Sequence, residues 1–207
     1  MSDLVLKILT LGESTVGKTS IIMRYTDNTF SQQFLSTVGI DFKAKIIEYK
    51  DKKIKVLLVD TSGQVRFRNI AANYYKSADG ILFVYDITSK DSLAKFEYWL
   101  SQIKQSSNIS SDSIFLFGNK NDMEKERQIT IEEGKVMADK YNLRFFEGSA
   151  QSGANVNECV QTLIEKIMET KKLLDEESNT TIKLDLIKSD NTEGKEKDYS
   201  RNATCCG

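Results

Sequence analysis

The chain has 207 residues, with 29 Lys and Arg against 30 Asp and Glu, a formal net charge of −1, and neither His nor Pro. That length suits one α/β domain with a short additional segment. The missing histidine excludes a Ser-His-Asp triad, a His-ligated zinc and an imidazole acid or base, and the balanced charge offers no broad basic surface to a nucleic-acid backbone.

Residues 4–11 (LVLKILTL) are apolar and branched, stop at Gly12, and predict a buried strand. Residues 18–27 predict a helix, and 42–50 with 53–60 predict two strands joined through Lys50-Asp51-Lys52. An apolar strand at 80–86 precedes a helix over 91–105, with Leu93, Phe96, Leu100 and Ile103 on one face. Strand 113–118 precedes a helix over 130–141, and strand 143–148 precedes a long helix over 154–177 carrying Val156, Val160, Leu163, Ile167 and Leu174 at helical spacing. Strands apolar on both faces and alternating with helices make a largely parallel sheet covered by helices, and the 42–60 hairpin adds one antiparallel edge. After residue 178 the composition shifts to Ser, Asn, Thr, Asp and Lys. The expected organisation is a domain over 1–177 followed by a flexible tail over 178–207. No apolar run approaches the roughly 18 residues of a membrane span, and Met1-Ser2-Asp3 opens no secretory signal. Three Cys form no disulfide framework, so the cytosol is the default compartment. Cys159 falls within the apolar periodicity of the last helix as a small core residue.

Three segments carry chemistry. Gly12-Glu13-Ser14-Thr15-Val16-Gly17-Lys18-Thr19 fits G-x-x-x-x-G-K-[ST] between a predicted strand and a predicted helix, the context in which successive N–H groups wrap a phosphate. Gly17 allows the close wrap, Lys18 supplies a charge to β- and γ-phosphates, and the Thr19 hydroxyl suits Mg²⁺. Strand 54–59 runs into Asp60-Thr61-Ser62-Gly63-Gln64, where Asp60 can hold Mg²⁺ through water and Gly63 can offer its N–H to a γ-phosphate. Asn119-Lys120-Asn121-Asp122 follows the apolar strand 114–118, at the strand end where α/β sheets bind ligands. The Asp122 carboxylate can accept from guanine N1–H and its exocyclic amine, whereas adenine would face it with a bare N1 acceptor. Alone, such an Asp reads first as a helix cap in a polar turn.

The ordered set Gly12–Thr19, Thr37, Asp60–Gln64, Asn119–Asp122 and Gly148-Ser149-Ala150 resembles the Ras superfamily of small GTPases. Ser36–Phe42 (STVGIDF), Tyr74-Tyr75-Lys76, Tyr85-Asp86-Ile87-Thr88 and Cys205-Cys206-Gly207 resemble its Rab branch, over residues 4–172 with the tail matching in character. The resemblance implies the P-loop NTPase fold of small G proteins: a mostly parallel six-stranded sheet with one antiparallel edge strand and helices on both faces. It also implies GTP or GDP with Mg²⁺, held by Ser14, Thr15, Val16, Gly17, Lys18, Thr19, Ser20, Thr37, Asp60 and Gly63 on the phosphate side. On the base side it implies Phe30, Asn119, Lys120, Asp122, Ser149, Ala150 and Gln151. Thr19, Thr37 and Asp60 are the implied metal residues; Gln64, with Lys18 and Thr37, is the implied catalytic set, Gln64 orienting the attacking water. The alternative for Phe30 is simple core packing.

The implied partners are effectors reading residues 30–42 and 61–77, an activating protein, an exchange factor, a GDP-dissociation inhibitor, and a prenyltransferase with its escort. Cys205 and Cys206 would carry two prenyl groups. Residues 179–204 balance five basic residues against five acidic ones, so no polybasic patch adds electrostatic attachment, and one lipid chain alone anchors only marginally. Residues 26–42 contain no Arg, so no arginine finger comes from that segment, and hydrolysis is expected to be slow until a partner assists. A GTP-holding scaffold with little hydrolysis is the competing expectation. Four positions depart from the Rab pattern: Val59 for the usual Trp, Ser62 for Ala, Val65 for Glu, and Gln151 for Lys.

Overall fold

The structure is a computed structural model that describes residues 4–32, 37–64 and 73–172. Strands β1 (Leu4–Leu11), β2 (Ile40–Tyr49), β3 (Lys52–Thr61), β4 (Gly80–Asp86), β5 (Ile114–Asn119) and β6 (Arg144–Glu147) form one sheet in the order β2-β3-β1-β4-β5-β6. Only β2 runs antiparallel to its neighbour. The six-stranded sheet and its single antiparallel edge match the expectation from sequence.

The hairpin closes through Lys50 and Asp51, both at positive φ (46° and 63°), the geometry of a two-residue primed turn whose twist suits antiparallel strands. Helices α1 (Lys18–Asp27) and α5 (156–168) pack on one face, where Leu6, Ile8, Val84 and Phe117 meet Ile21, Tyr25, Val160 and Ile167. Helices α2 (Lys90–Ala94), α3 (Phe96–Ser106) and α4 (Ile131–Lys140) cover the other, where Leu9, Phe83 and Leu116 meet Phe96, Leu100 and Ala138. Strand β4 is therefore buried at every position, which explains its unbroken apolar run. Cys159 is wholly buried in the α1–α5 core, as expected.

The differences from the expected elements are local. The predicted 91–105 helix is two helices meeting at Lys95 (φ −77°, ψ −9°), where the backbone opens from helical ψ while its N–H still donates to the Asp91 carbonyl at 3.3 Å and its own carbonyl accepts from the Trp99 N–H at 3.2 Å. Strand β2 starts at Ile40 instead of 42, since the antiparallel ladder already pairs Ile40 with Thr61 and Asp41 with Asp60. Helix α4 is set by a reciprocal cap: Thr130 accepts from the Glu133 N–H at 3.1 Å and its own N–H donates to Glu133 at 2.7 Å. Residues Met1–Met168 form one compact unit and Glu169–Gly207 a second, of which only 169–172 are described, as helix. The expected boundary at 177, Val65, the tail and its two terminal cysteines lie outside the described residues. No helix among the described residues is long and apolar enough to cross a membrane.

Candidate nucleotide site

The chain reverses its direction of sheet growth beside β1, which lies between β3 and β4. Open α/β sheets bind ligands at the carboxyl ends of strands flanking such a switch point. The segments after β1, β3, β5 and β6 converge there on a cleft of about 510 Å³. Of the residues expected to contact nucleotide, Ser14, Thr15, Gly17, Lys18, Thr19, Ser20, Phe30, Thr37, Gly63, Asn119, Lys120, Asp122, Ala150 and Gln151 all line it. Val16, Asp60 and Ser149 are buried behind the wall. Gln64 is half-buried just beyond Gly63, its N–H 3.4 Å from Ser62 Oγ. Met23, Ser31, Gln32, Thr61, Ser62 and Met123 also line the cleft and were not expected.

The loop between β1 and α1 is built for close approach. Gly17 sits at φ 95°, and a Cβ there would strike the Asn119 amide. A Cβ on Gly63 would collide with the Glu13–Ser14 backbone, so the segment after β3 presses directly against the loop. Thr15 is exposed at φ 68°, an uncommon place for a β-branched residue, costing about 1 kcal/mol relative to glycine. Thr15→Gly is therefore expected to stabilise the GDP-bound protein, raising its thermal midpoint by about 2–4 °C. A lowered midpoint would show that the loop carries no such strain.

Lys18 is buried, its ammonium donating to the carbonyls of Gly12 (3.0 Å) and Glu13 (2.7 Å). Burial lowers its pKa to about 8, against the opposing pull of the Asp60 and Glu13 carboxylates. The Glu13 carboxylate in turn accepts from the indole N–H of Trp99, on α3, at 3.0 Å.

Three oxygens converge beside the lysine. Thr19 Oγ1 donates to Asp60 Oδ2 at 2.5 Å, Thr37 Oγ1 donates to the same atom at 3.1 Å, and the two hydroxyls stand 2.9 Å apart. Asp60 Oδ1 is buried and has no hydrogen-bond partner among the described residues. Burial raises the Asp60 pKa, opposed by the Thr19 bond and the Lys18 charge. A carboxylate oxygen left orphaned beside two hydroxyls is a donor set suited to a hard, oxygen-seeking cation such as Mg²⁺. The residues present fit the metal that the sequence implies.

On the base side, Asn119 ties the two walls together: its amide donates to the Val16 carbonyl at 2.8 Å, and its Oδ1 accepts from the Ala150 N–H at 3.0 Å. Lys120 turns through φ 70° and pairs with Asp86 at 2.6 Å. Asp122 is exposed at the start of a 3-10 helix, Asn121–Glu126. Phe30 lines the cleft and also packs against the α1–α5 core. Two of the departures, Ser62 and Val59, are accommodated inside the fold. Ser62 is buried, its N–H donating to Gly39 O at 3.0 Å, and Val59 is buried on β3 opposite Phe42. Phe42 and Tyr74 remain as an aromatic pair 5.8 Å apart.

The family model described as "Ras family" matches residues 7–169. The chain belongs to the Ras family. This Ras-family protein is 44% identical over 167 residues to human "Ras-related protein Rab-3A", covering 81% of this chain and 76% of that one. It is 40% identical over 171 residues to "GTP-binding protein ypt2" of Schizosaccharomyces pombe, covering 82% and 84% of the two chains. It is 42% identical over 165 residues to "Ras-related protein Rab-3" of Caenorhabditis elegans, covering 80% and 75%. As a Rab-type small GTPase it binds GTP or GDP with Mg²⁺ and hydrolyses GTP to GDP and phosphate.

Proposed function

We propose that this GTPase is a membrane-directed switch of vesicle transport in which bound GTP sets the arrangement of residues 30–42 and 61–77 for regulators and effectors. The observation that carries this reading is a shared cleft. In it the phosphate loop, the Thr19–Thr37–Asp60 oxygen cluster and the base-side residues Asn119, Lys120 and Asp122 lie on one ligand-sized hollow.

Each residue has a defined task. The N–H groups of residues 14–19 and the Lys18 ammonium take the β- and γ-phosphate oxygens, exchanging the lysine's present loop carbonyls for a stronger anionic partner. Thr19, Thr37 and Asp60 hold Mg²⁺, which when bound neutralises charge on the phosphate oxygens. Gly63 offers its N–H to the γ-phosphate, and Gln64 orients the attacking water. Asp122 accepts from the guanine N1–H and amine, Phe30 covers the ring, and the Ala150 N–H shares itself between Asn119 Oδ1 and the guanine carbonyl. Because Thr37 and Gly63 lie in the two segments and both serve the γ-phosphate side, its loss frees both segments together. Hydrogen exchange with GDP and with a non-hydrolysable GTP analogue tests the switch. Residues 30–42 and 61–77 are expected to be better protected with the analogue, and equal protection of both would refute it.

Effectors, an activating protein, an exchange factor, a GDP-dissociation inhibitor and a prenyltransferase escort are the partners this cycle requires. Cys205 and Cys206 carry the two prenyl chains that attach the protein to the cytoplasmic face of vesicle membranes, with residues 178–207 as the tether following the GTP-binding domain 1–177. The double replacement Cys205→Ser with Cys206→Ser is expected to leave GTP binding intact and to move the protein wholly into the soluble fraction. Membrane retention of that variant would refute the anchor.

A further inference from the structure

We propose that Arg24 is a positioning residue for guanine recognition, one cation that fixes both flanks of the base site; this rests on the reading of that site given above. Arg24 lies in the last turn of α1, away from every phosphate-side contact and outside the residues lining the cleft. Its half-buried guanidinium makes four hydrogen bonds. Nε donates to the Ala150 carbonyl at 2.9 Å, and one terminal nitrogen donates to the Gln151 carbonyl at 2.7 Å. The other terminal nitrogen donates to Asn28, at the carbonyl (3.1 Å) and at Oδ1 (3.2 Å).

The two sets of acceptors belong to different parts of the site. Asn28 is the left-handed cap of α1 (φ 52°) and stands two residues before Phe30, the aromatic cover. Ala150 and Gln151 form the opposite flank, where the N–H that meets the guanine carbonyl resides. In that flank the peptide planes are pinned from both sides. Ser149 Oγ accepts from the N–H groups of Gln151 and Ser152, each at 3.0 Å, while Arg24 takes the carbonyls of Ala150 and Gln151 on the same two peptide units. The preceding peptide is held by Asn119 through the Ala150 N–H. Remove the guanidinium and two successive carbonyls lose their partner at once, and the Phe30 flank loses its tie to the Ala150 flank. The planar fork makes this possible: an ammonium is a point donor and cannot span the same acceptors in fixed geometry. Charged hydrogen bonds of this kind are each worth more than neutral ones.

The test uses the full-length protein loaded with fluorescent GDP, comparing wild type, Arg24→Ala and Arg24→Lys. Arg24→Ala is expected to release GDP about tenfold faster or more. Its preference for GDP over ADP in competition is expected to fall by a similar factor, with Arg24→Lys between the two. The acceleration of release produced by chelating Mg²⁺ is expected to be the same in all three, because the metal side is untouched. Release and preference equal to wild type would overturn the proposal. So would faster release that keeps the GDP preference and alters the chelation response, since that is the mark of general loosening. If wild type itself failed to prefer GDP over ADP, the underlying reading of the base site would fall, an outcome distinct from either.

Discussion

Replacing Asp122 by Ala is expected to lower the preference for GDP over ADP by about 10⁴-fold, measured by competition of each against a fluorescent GDP. The structure leaves this carboxylate exposed at the mouth of the cleft, ahead of a short 3-10 helix, with its neighbours already committed elsewhere: Asn119 to the Val16 and Ala150 backbone, Lys120 to Asp86. Asp122 is thus the acceptor available for two guanine donors. Adenine would turn a bare N1 acceptor toward it. Discrimination of this size comes from the penalty on buried polar groups left unmatched, and is characteristic of sites built to hydrogen-bond one ligand over its analogue. The alanine variant removes both the attraction for guanine and the repulsion of adenine. A preference within tenfold of wild type would show that base choice is made elsewhere.

The second expectation concerns rate. Alone, the protein is expected to complete a single turnover of GTP at about 10⁻⁴ to 10⁻² s⁻¹, and an activating domain to raise this by about 10³–10⁵-fold. The reason is electrostatic. Phosphoryl transfer needs little covalent chemistry and much charge stabilisation, and the described residues lining the cleft include Lys18 but no arginine. Residues 26–42 contain none either. The missing cation is worth about 4–7 kcal/mol of barrier, the equivalent of the expected acceleration, and must arrive on a partner. Gln64→Leu is expected to suppress both rates while sparing GTP binding. Unaided turnover of several per second would refute the requirement for a partner. An activating domain without effect would instead favour the scaffold reading.

Much of this architecture could be read before any coordinates. Strand β4 announces itself because burial on both faces demands an unbroken apolar run, and α3 and α5 because one apolar face repeats at helical spacing. The phosphate loop is legible because its glycine and lysine are chemically forced. What escaped has a common cause: it depends on partners distant in sequence. Nothing in Lys95 marks a break between α2 and α3, since neither Gly nor Pro interrupts the run, and the start of β2 is decided by the ladder to β3, not by its own composition. Arg24 looks like an ordinary basic residue near a helix C-terminus; its acceptors on Ala150 and Gln151 lie more than 120 positions away. Val59 stood out as a departure from a pattern, but only the sheet shows where it goes, buried opposite Phe42.

Trp99 is the one tryptophan of the chain, and its indole N–H ends on Glu13 of the phosphate loop. Its emission therefore comes from a single fluorophore wired to the place where nucleotide arrives. Anything that shifts the Glu13 carboxylate changes the polarity around the excited indole. Nucleotide loading is therefore expected to register in the tryptophan emission, in real time and without dye, tag or modified nucleotide.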